Sequence, residues 1–373
     1  MLRQFLSLAV LCSVPACAQS RFTVDDMLDV SNVAVADVSK DGRWIAATSS
    51  SLRDRIGIDN SRFGDLTYIA PHAMDLLIID AQTGATQKVF TDRRQVRAAK
   101  WSPDGSRLAL FALAGDRFRP MVWNRESRRA EIVTLPAGQD SDDAGDLEWT
   151  SDGGRLLVPV HSAEWRAQAR AQFLRETEAP VVFHSSKEPF LAWIDLRRRS
   201  LDRSLSAWDV NTHATTVVLE PSMLSSYRVA EDGTFLTVQQ DIGKKTDYDL
   251  IGGGDDSVSI VPAAGGSARV IVKSTKGLTL IRSRNDRFYA YSKDGAVFFA
   301  SIDDKEPRQI LGPKKLAADA PKAEPEDEKA KEEKSKERFT ARYGSVRRAT
   351  TWWRRIRKAC GWSTRRREAR TCS

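Results

Sequence analysis

The sequence predicts an all-β fold, a β-propeller of four-stranded antiparallel blades. Three observations predict it. One turn motif recurs five times along the chain, a second hairpin follows each copy, and the spacing of the copies is that of propeller blades.

The elements follow in chain order. At the N-terminus, Arg3 precedes an apolar run from Phe5 to Val14, and Ala16-Cys17-Ala18 offers a small-x-small cleavage site. This is the build of a secretory signal over residues 1–18, too short to span a bilayer. It predicts export to a periplasmic or extracellular compartment. Acylation of Cys17 after Val14-Pro15-Ala16 is the weaker alternative, because proline fits poorly in such a site. Cys12, Cys17, Cys360 and Cys372 all lie near the ends. A disulfide framework or thiolate metal site in the body is therefore excluded.

The propeller is assigned to residues 22–312. Its first turn is Ser39-Lys40-Asp41-Gly42-Arg43-Trp44, and its second is Trp101-Ser102-Pro103-Asp104-Gly105. Trp149-Thr150-Ser151-Asp152-Gly153 and Ala230-Glu231-Asp232-Gly233 repeat it, and Ser283-Arg284-Asn285-Asp286 is a degenerate fifth copy followed by a turn at Lys293-Asp294-Gly295. The Asp or Asn side chain bonds the backbone that follows it, and Gly accepts the positive φ of a twisted hairpin. Pro103 presets φ before the reversal. Alternation at Leu108, Leu110 and Ala112, and at Phe235 and Thr237, marks the strands that leave the turns.

The second hairpins are Met74–Asp80 with Thr86–Phe90, Met121–Asn124 with Glu131–Leu135, and Ala207–Val210 with Thr215–Leu219. Val258–Val261 with Arg269–Val272 and Val297–Ile302 with Arg308–Leu311 complete the five. Asp104 to Asp152 is 48 positions, one blade; Asp41 to Asp104 is 63 and Asp152 to Asp232 is 80, so blades one and three carry insertions. They are placed near 49–71, a long loop without alternation, and near 162–192. The second opens on an amphipathic helix with Trp165, Ala169 and Phe173 on one side. Such excursions rise from the propeller faces, where ligands are met, or form a decorative cap over the rim.

Residues 313–338 hold eight basic and eight acidic side chains and almost nothing apolar, a solvated linker or exposed helix. Residues 339–373 form a basic tail rich in Trp and Arg. Trp352-Trp353-Arg354-Arg355 could engage an anionic surface. The abrupt change of composition and the lack of periodicity instead mark an aberrant end, as when a GC-rich gene is read in the wrong frame. This tail dominates the formal charge of +8: it holds 11 Lys or Arg and one acid, while the other 338 residues hold 47 basic and 49 acidic side chains. The body is near neutral, which argues against a nucleic-acid partner.

A search for chemistry yields no catalytic residue, no cofactor and no metal. No Gly-x-Ser-x-Gly elbow occurs; Gly265-Gly266-Ser267 reads as a hairpin turn. His72, His161, His184 and His213 lack ligand spacing. Asp140-Ser141-Asp142-Asp143-Ala144-Gly145 begins like a calcium loop, but Ser151 stands where the bidentate Glu belongs. Gly252-Gly253-Gly254 lacks the residues of a phosphate cradle.

The body resembles the N-terminal propeller of the prolyl-oligopeptidase family of serine peptidases, in the style of its dipeptidyl and acylaminoacyl branches. The residues that carry this are Phe22-Thr23-Val24-Asp25-Asp26-Met27-Leu28, the Trp101-Ser102-Pro103-Asp104-Gly105 turn with its copies, and Lys187-Glu188-Pro189-Phe190-Leu191. The resemblance implies an incomplete seven- or eight-bladed ring that, in a full-length enzyme, would gate peptide access to a catalytic domain. The chain is expected to lack that domain, with its Ser, Asp and His. Dipeptidyl members grip the substrate amino terminus with adjacent glutamates. Glu176 and Glu178 are not adjacent, so that role is not transferred, and the substrate-binding residues stay unknown. The expectation is a non-catalytic propeller fragment of an exported peptidase. The alternative is an intact envelope scaffold that binds a protein or peptide in the propeller opening. An open ring would leave unpaired blade edges, which favour self-association.

Overall fold

The structure, a computed structural model, describes residues 22–178, 187–246 and 254–313. The chain divides after Pro313, and every described residue belongs to the first unit. The expected signal segment, His184, Gly252, Gly253, all four cysteines, the expected linker beyond Pro313 and the basic tail lie outside the described residues.

Blade 1 is β1 (Ser31–Val38), β2 (Trp44–Ser51), β3 (Asp75–Asp80) and β4 (Thr86–Lys88). Blade 2 is β5 (Val96–Trp101), β6 (Arg107–Ala114), β7 (Arg117–Asn124) and β8 (Arg129–Ile132). Blade 3 begins with the short strands β9 (Gln139–Ser141) and β10 (Glu148–Trp149), both paired to β11 (Arg155–Ser162), followed by β12 (Asp202–Asp209) and β13 (Thr215–Val229). Blade 4 takes the second half of β13, then β14 (Phe235–Asp241), β15 (Asp256–Pro262) and β16 (Arg269–Val272). Blade 5 is β17 (Thr279–Arg282), β18 (Phe288–Lys293), β19 (Ala296–Ser301) and β20 (Arg308–Leu311). Every pairing is antiparallel between sequential strands, apart from the extra β9–β11 pair. The five sheets are successive blades of a β-propeller.

One correction concerns β13. The strand expected to end at Leu219 runs on to Val229, 15 residues in all, and this one strand is both the outer strand of blade 3 and the inner strand of blade 4. Pro221 lies where the register with β12 shifts, between Leu219 and Ser222. Its missing N–H is least costly at such an irregularity.

The repeat explains how the blades stack. The second residue of the second strand in blades 2 to 5, Leu108, Leu156, Leu236 and Tyr289, points towards the preceding blade, and Ile45 holds the same position in blade 1. The residue after it points the other way, so that Ala46, Ala109 and Leu157 face the next blade. Leu108, Leu110 and Trp101 of blade 2 thus bury against Leu76 and Ile78 of blade 1. Ala109, Phe111 and Val122 on the other face of blade 2 meet Leu156, Val158 and Trp149 of blade 3. Leu157 and Leu205 of blade 3 meet Leu236 and Val238 of blade 4, and Val258 and Val272 of blade 4 meet Tyr289 and Ala300 of blade 5. Four interfaces join five blades.

Among the described residues three α-helices lie outside the sheets. Helix α1 (Val24–Asp29) precedes β1 and is closed by a capping box between Thr23 and Asp26. Helix α2 (Trp165–Thr177) is the expected helix of the second insertion and buries Trp165, Ala169 and Phe173. Helix α3 (Ala192–Arg198), which periodicity did not suggest, follows within the same insertion. The first insertion starts later than expected, because β2 continues to Ser51; it holds two single turns of 3-10 helix, Arg53–Arg55 and Asn60–Arg62.

Candidate binding site at the axial opening

The site is built by the turns. In blade 1 the Ser39 hydroxyl donates to Asp41 at 2.5 Å and accepts the Trp44 amide at 2.8 Å, while the Asp41 carboxylate accepts the Arg43 amide at 3.0 Å. Ser102 and Asp104 repeat this in blade 2, Thr150 and Asp152 in blade 3, and Ser283 and Asn285 in blade 5. Blade 4 has Ala230 in that place, and Thr234 bonds Asp232 instead, at 2.7 Å. Gly42 adopts φ +74° to close its turn; in blade 5 Asp286 holds that position at φ +55°. The turns of blades 1 to 4 bring the ends of their innermost strands together.

There a cleft of about 310 Å³ opens, lined by the inner-strand ends of blades 1 to 4. Two positions before the first residue of the turns of blades 1 to 4 stand Asp37, Lys100, Glu148 and Arg228. Their signs alternate from blade to blade. Asp37, Lys100 and Glu148 line the cleft, and Arg228 directly precedes its wall at Val229. Backbone bonds set the collar: the Asp37 carboxylate accepts the Trp101 amide at 2.7 Å, and the Trp149 indole donates to the Lys100 carbonyl at 3.0 Å. Lys100 Nζ lies 3.6 Å from Glu148 Oε1. Burial pushes the Glu148 carboxyl above its ordinary range, against the pull of Lys100. The same burial, beside Glu148, raises the Tyr227 hydroxyl further.

The two insertions leave the opposite ends of β2 and β11 and meet each other. Arg166 of α2 donates to the Thr67 carbonyl at 3.1 Å, and Arg170 donates to Asp65 at 2.6 Å. Glu176 pairs with its neighbour Arg175 at 3.0 Å, and Glu178 is the C-cap of α2.

The candidates from the sequence resolve as follows. The acids of the calcium-like loop face arginines: Asp140 pairs with Arg117 at 3.0 Å, Asp142 with Arg203 at 2.5 Å, and Asp143 with Arg97. Asp142 is buried, which would raise its pKa, yet His161 and Arg203 hold it below the ordinary value. His161 is buried too, stacked on Trp165 at 3.8 Å, with Nδ1 2.7 Å from the Asp202 carbonyl. His213 lies 3.7 Å from Glu131. His72 lies 3.1 Å from the Ser50 hydroxyl, a Ser–His pair that sequence spacing did not reveal. Burial lowers the His72 pKa. The nearby Asp54 is engaged by Ser51 and Arg93, and Ser50 sits within regular β2, not on a strained elbow. Gly265 and Gly266 form the turn between β15 and β16. Among the described residues no group of three or more His, Cys, Asp or Glu could hold a metal ion, and no helix is long and apolar enough to cross a membrane.

Asp37, Lys100 and Glu148 were not singled out in the sequence. The signal was present: they occupy one register position of the repeat.

No family model matches the chain, and no sequence among the curated proteins does. Solved structures similar to it include TolB from Acinetobacter baumannii, at 11% identity and a TM-score of 0.39, covering 75% of this chain. The β-propeller domain of the Trilobed protease from Pyrococcus furiosus is similar at 11% identity and a TM-score of 0.42, covering 75% of this chain and 71% of that one. The acylaminoacyl peptidase of Pyrococcus horikoshii is similar at 12% identity and a TM-score of 0.41, covering 76% of this chain and 39% of that one. The chain spans 56% of the length of the TolB structure.

Proposed function

We propose that the chain is a non-catalytic propeller whose axial opening admits an extended peptide, the part played in an exported serine peptidase of the prolyl-oligopeptidase type by the domain that gates access. The observation that supports it is the collar of Asp37, Lys100 and Glu148 around the cleft. Side chains of both signs on the ends of rigid strands suit a polymer whose backbone is dipolar and whose side chains vary in charge. The sequence resemblance supports the peptidase context, and the apolar start of the chain supports export.

The test is fluorescence anisotropy with a short, unstructured, fluorescein-labelled peptide that carries both charges. Glu148→Gln and Lys100→Glu should each weaken binding about tenfold, the equivalent of ~1.4 kcal/mol. Aminoacyl and dipeptidyl chromogenic substrates should stay uncleaved. Binding that ignores both substitutions, or cleavage by the purified protein, would refute the reading. The second reading, an envelope scaffold for a folded protein partner, rests on the same cleft. It predicts that the free peptide does not bind, whereas a pull-down from an envelope extract recovers a partner that Lys100→Glu loses.

A further inference from the structure

The blade-to-blade packing repeats four times and leaves two faces over. In blades 2 and 3 the residue just before the turn, Trp101 or Trp149, packs on the preceding blade and is 5% exposed. Val38 holds the same position in blade 1 and is 46% exposed. It continues a row: Val33, Val35 and Val38 stand across from Ser49, Ala47 and Ile45, on the face of blade 1 that points away from blade 2. Val33 and Val35 are 58% and 65% exposed. At the other end, Ile281 and Ala290 are cross-strand partners, as are Ala290 and Phe299, on the face of blade 5 that points away from blade 4. Phe288 stacks on Phe299 with ring centroids 5.7 Å apart, and Ile281 and Phe288 are 41% and 43% exposed. A row of valines at one end and a pair of stacked rings at the other are what a soluble monomer seldom leaves contiguous and bare.

We infer that these two faces are one heterologous interface: blade 5 of one copy seats against blade 1 of a second copy, continuing the stacking that joins the blades within the chain. The chemistry matches the internal junctions, where aliphatic side chains of one blade meet aromatic ones of the other, as Leu76 and Ile78 meet Trp101 and Trp123. The turns match as well. Arg287 of blade 5 reaches back to Asp232 in the turn of blade 4, at 3.0 Å from Nε. Arg43 stands at the same position of the motif in blade 1, half-exposed. The corresponding turn in blade 5 offers Asn285. Such a contact joins unlike faces, so both faces of a dimer's free ends remain open and the association extends with concentration.

Sedimentation velocity on the full chain tests this with two variants, Val35→Lys and Phe288→Lys, both at exposed positions. Wild type should show mass rising with concentration. Each variant alone should stay monomeric, because each has lost one of the two complementary faces. Mixed in equal amounts, they should form a dimer and nothing larger, because each variant still carries the face that the other lacks. Circular dichroism and thermal unfolding of each variant report that the fold is kept. A monomeric wild type, a mixture that stays monomeric, or association that neither lysine relieves overturns the proposal.

Discussion

Arg170, on the helix inserted in blade 3, donates to Asp65, in the loop inserted in blade 1, at 2.6 Å across 105 positions of sequence. Asp65 is fully buried at its side chain and also accepts from Arg62 at 2.6 Å and from Thr67. Burial works against its charge, but the hydrogen bonds from Thr67 and Arg62 prevail and hold its pKa below the ordinary value. Asp65→Asn should therefore loosen both insertions together. Both arginines are about one-third exposed, so the loss is roughly 1–3 kcal/mol, below that of a wholly buried pair. Hydrogen exchange should rise in the loop and in α2 while β6 keeps its protection.

Asp142 and Arg203 are a second such pair, more deeply buried. Arg203 donates to Asp142 at 2.5 Å and to the carbonyls of Leu224 at 2.9 Å and Ser225 at 3.1 Å, so it ties blade 3 to the inner strand of blade 4. Asp142→Asn leaves a buried guanidinium without its counter-charge and should cost roughly 3–5 kcal/mol by chemical denaturation. Arg203→Met added to it should recover part of the loss, since the uncompensated charge is then gone.

Acid should weaken the turns in a defined window. Asp104 and Asp232 are both held down to about 2. In Asp104 burial opposes this and the bonds from Ser102 and Ser106 prevail; in Asp232 the Thr234 amide contributes most. A carboxyl depressed in the folded state binds fewer protons there than in the unfolded chain, whose Asp titrates near 3.9. The stability these groups contribute is thus complete above pH ~4 and lost as pH falls towards about 2. Thermal melts of Asp104→Asn should be flatter across that window than those of wild type.

Gly145 gives a steric prediction. A Cβ there would lie 2.5 Å from Pro159 Cγ and 2.9 Å from Arg203 Nη1. Gly145→Ala should destabilise by roughly 1–3 kcal/mol, the usual cost of overpacking, and the effect should shrink when Arg203 is shortened to Met.

The sequence made the blades legible because each turn is local: Asp41 or Asp104 bonds atoms two residues away, so short spacing carries the signal. The helix at 165–177 was legible for the same reason, through Trp165, Ala169 and Phe173. The contact between the insertions was not, because Arg166 and Thr67 are 99 positions apart and neither residue type announces a partner. The continuous β13 was hidden by Pro221, which reads as a break until the register shift beside it is seen. The cleft charges were hidden for a different reason. Asp37, Lys100 and Glu148 differ in type, and only their shared place in the repeat relates them.

The central claim is that inner strands of successive blades meet at one axis, so that Asp37 of blade 1 caps the Trp101 amide of blade 2. Residue-resolved hydrogen exchange on Asp37→Ala tests it most directly. Loss of that bond, worth about 1.4 kcal/mol, should speed exchange at Trp101 about tenfold, with amides of β7 and β12 unchanged. Exchange at Trp101 equal to that of wild type would contradict the radial arrangement.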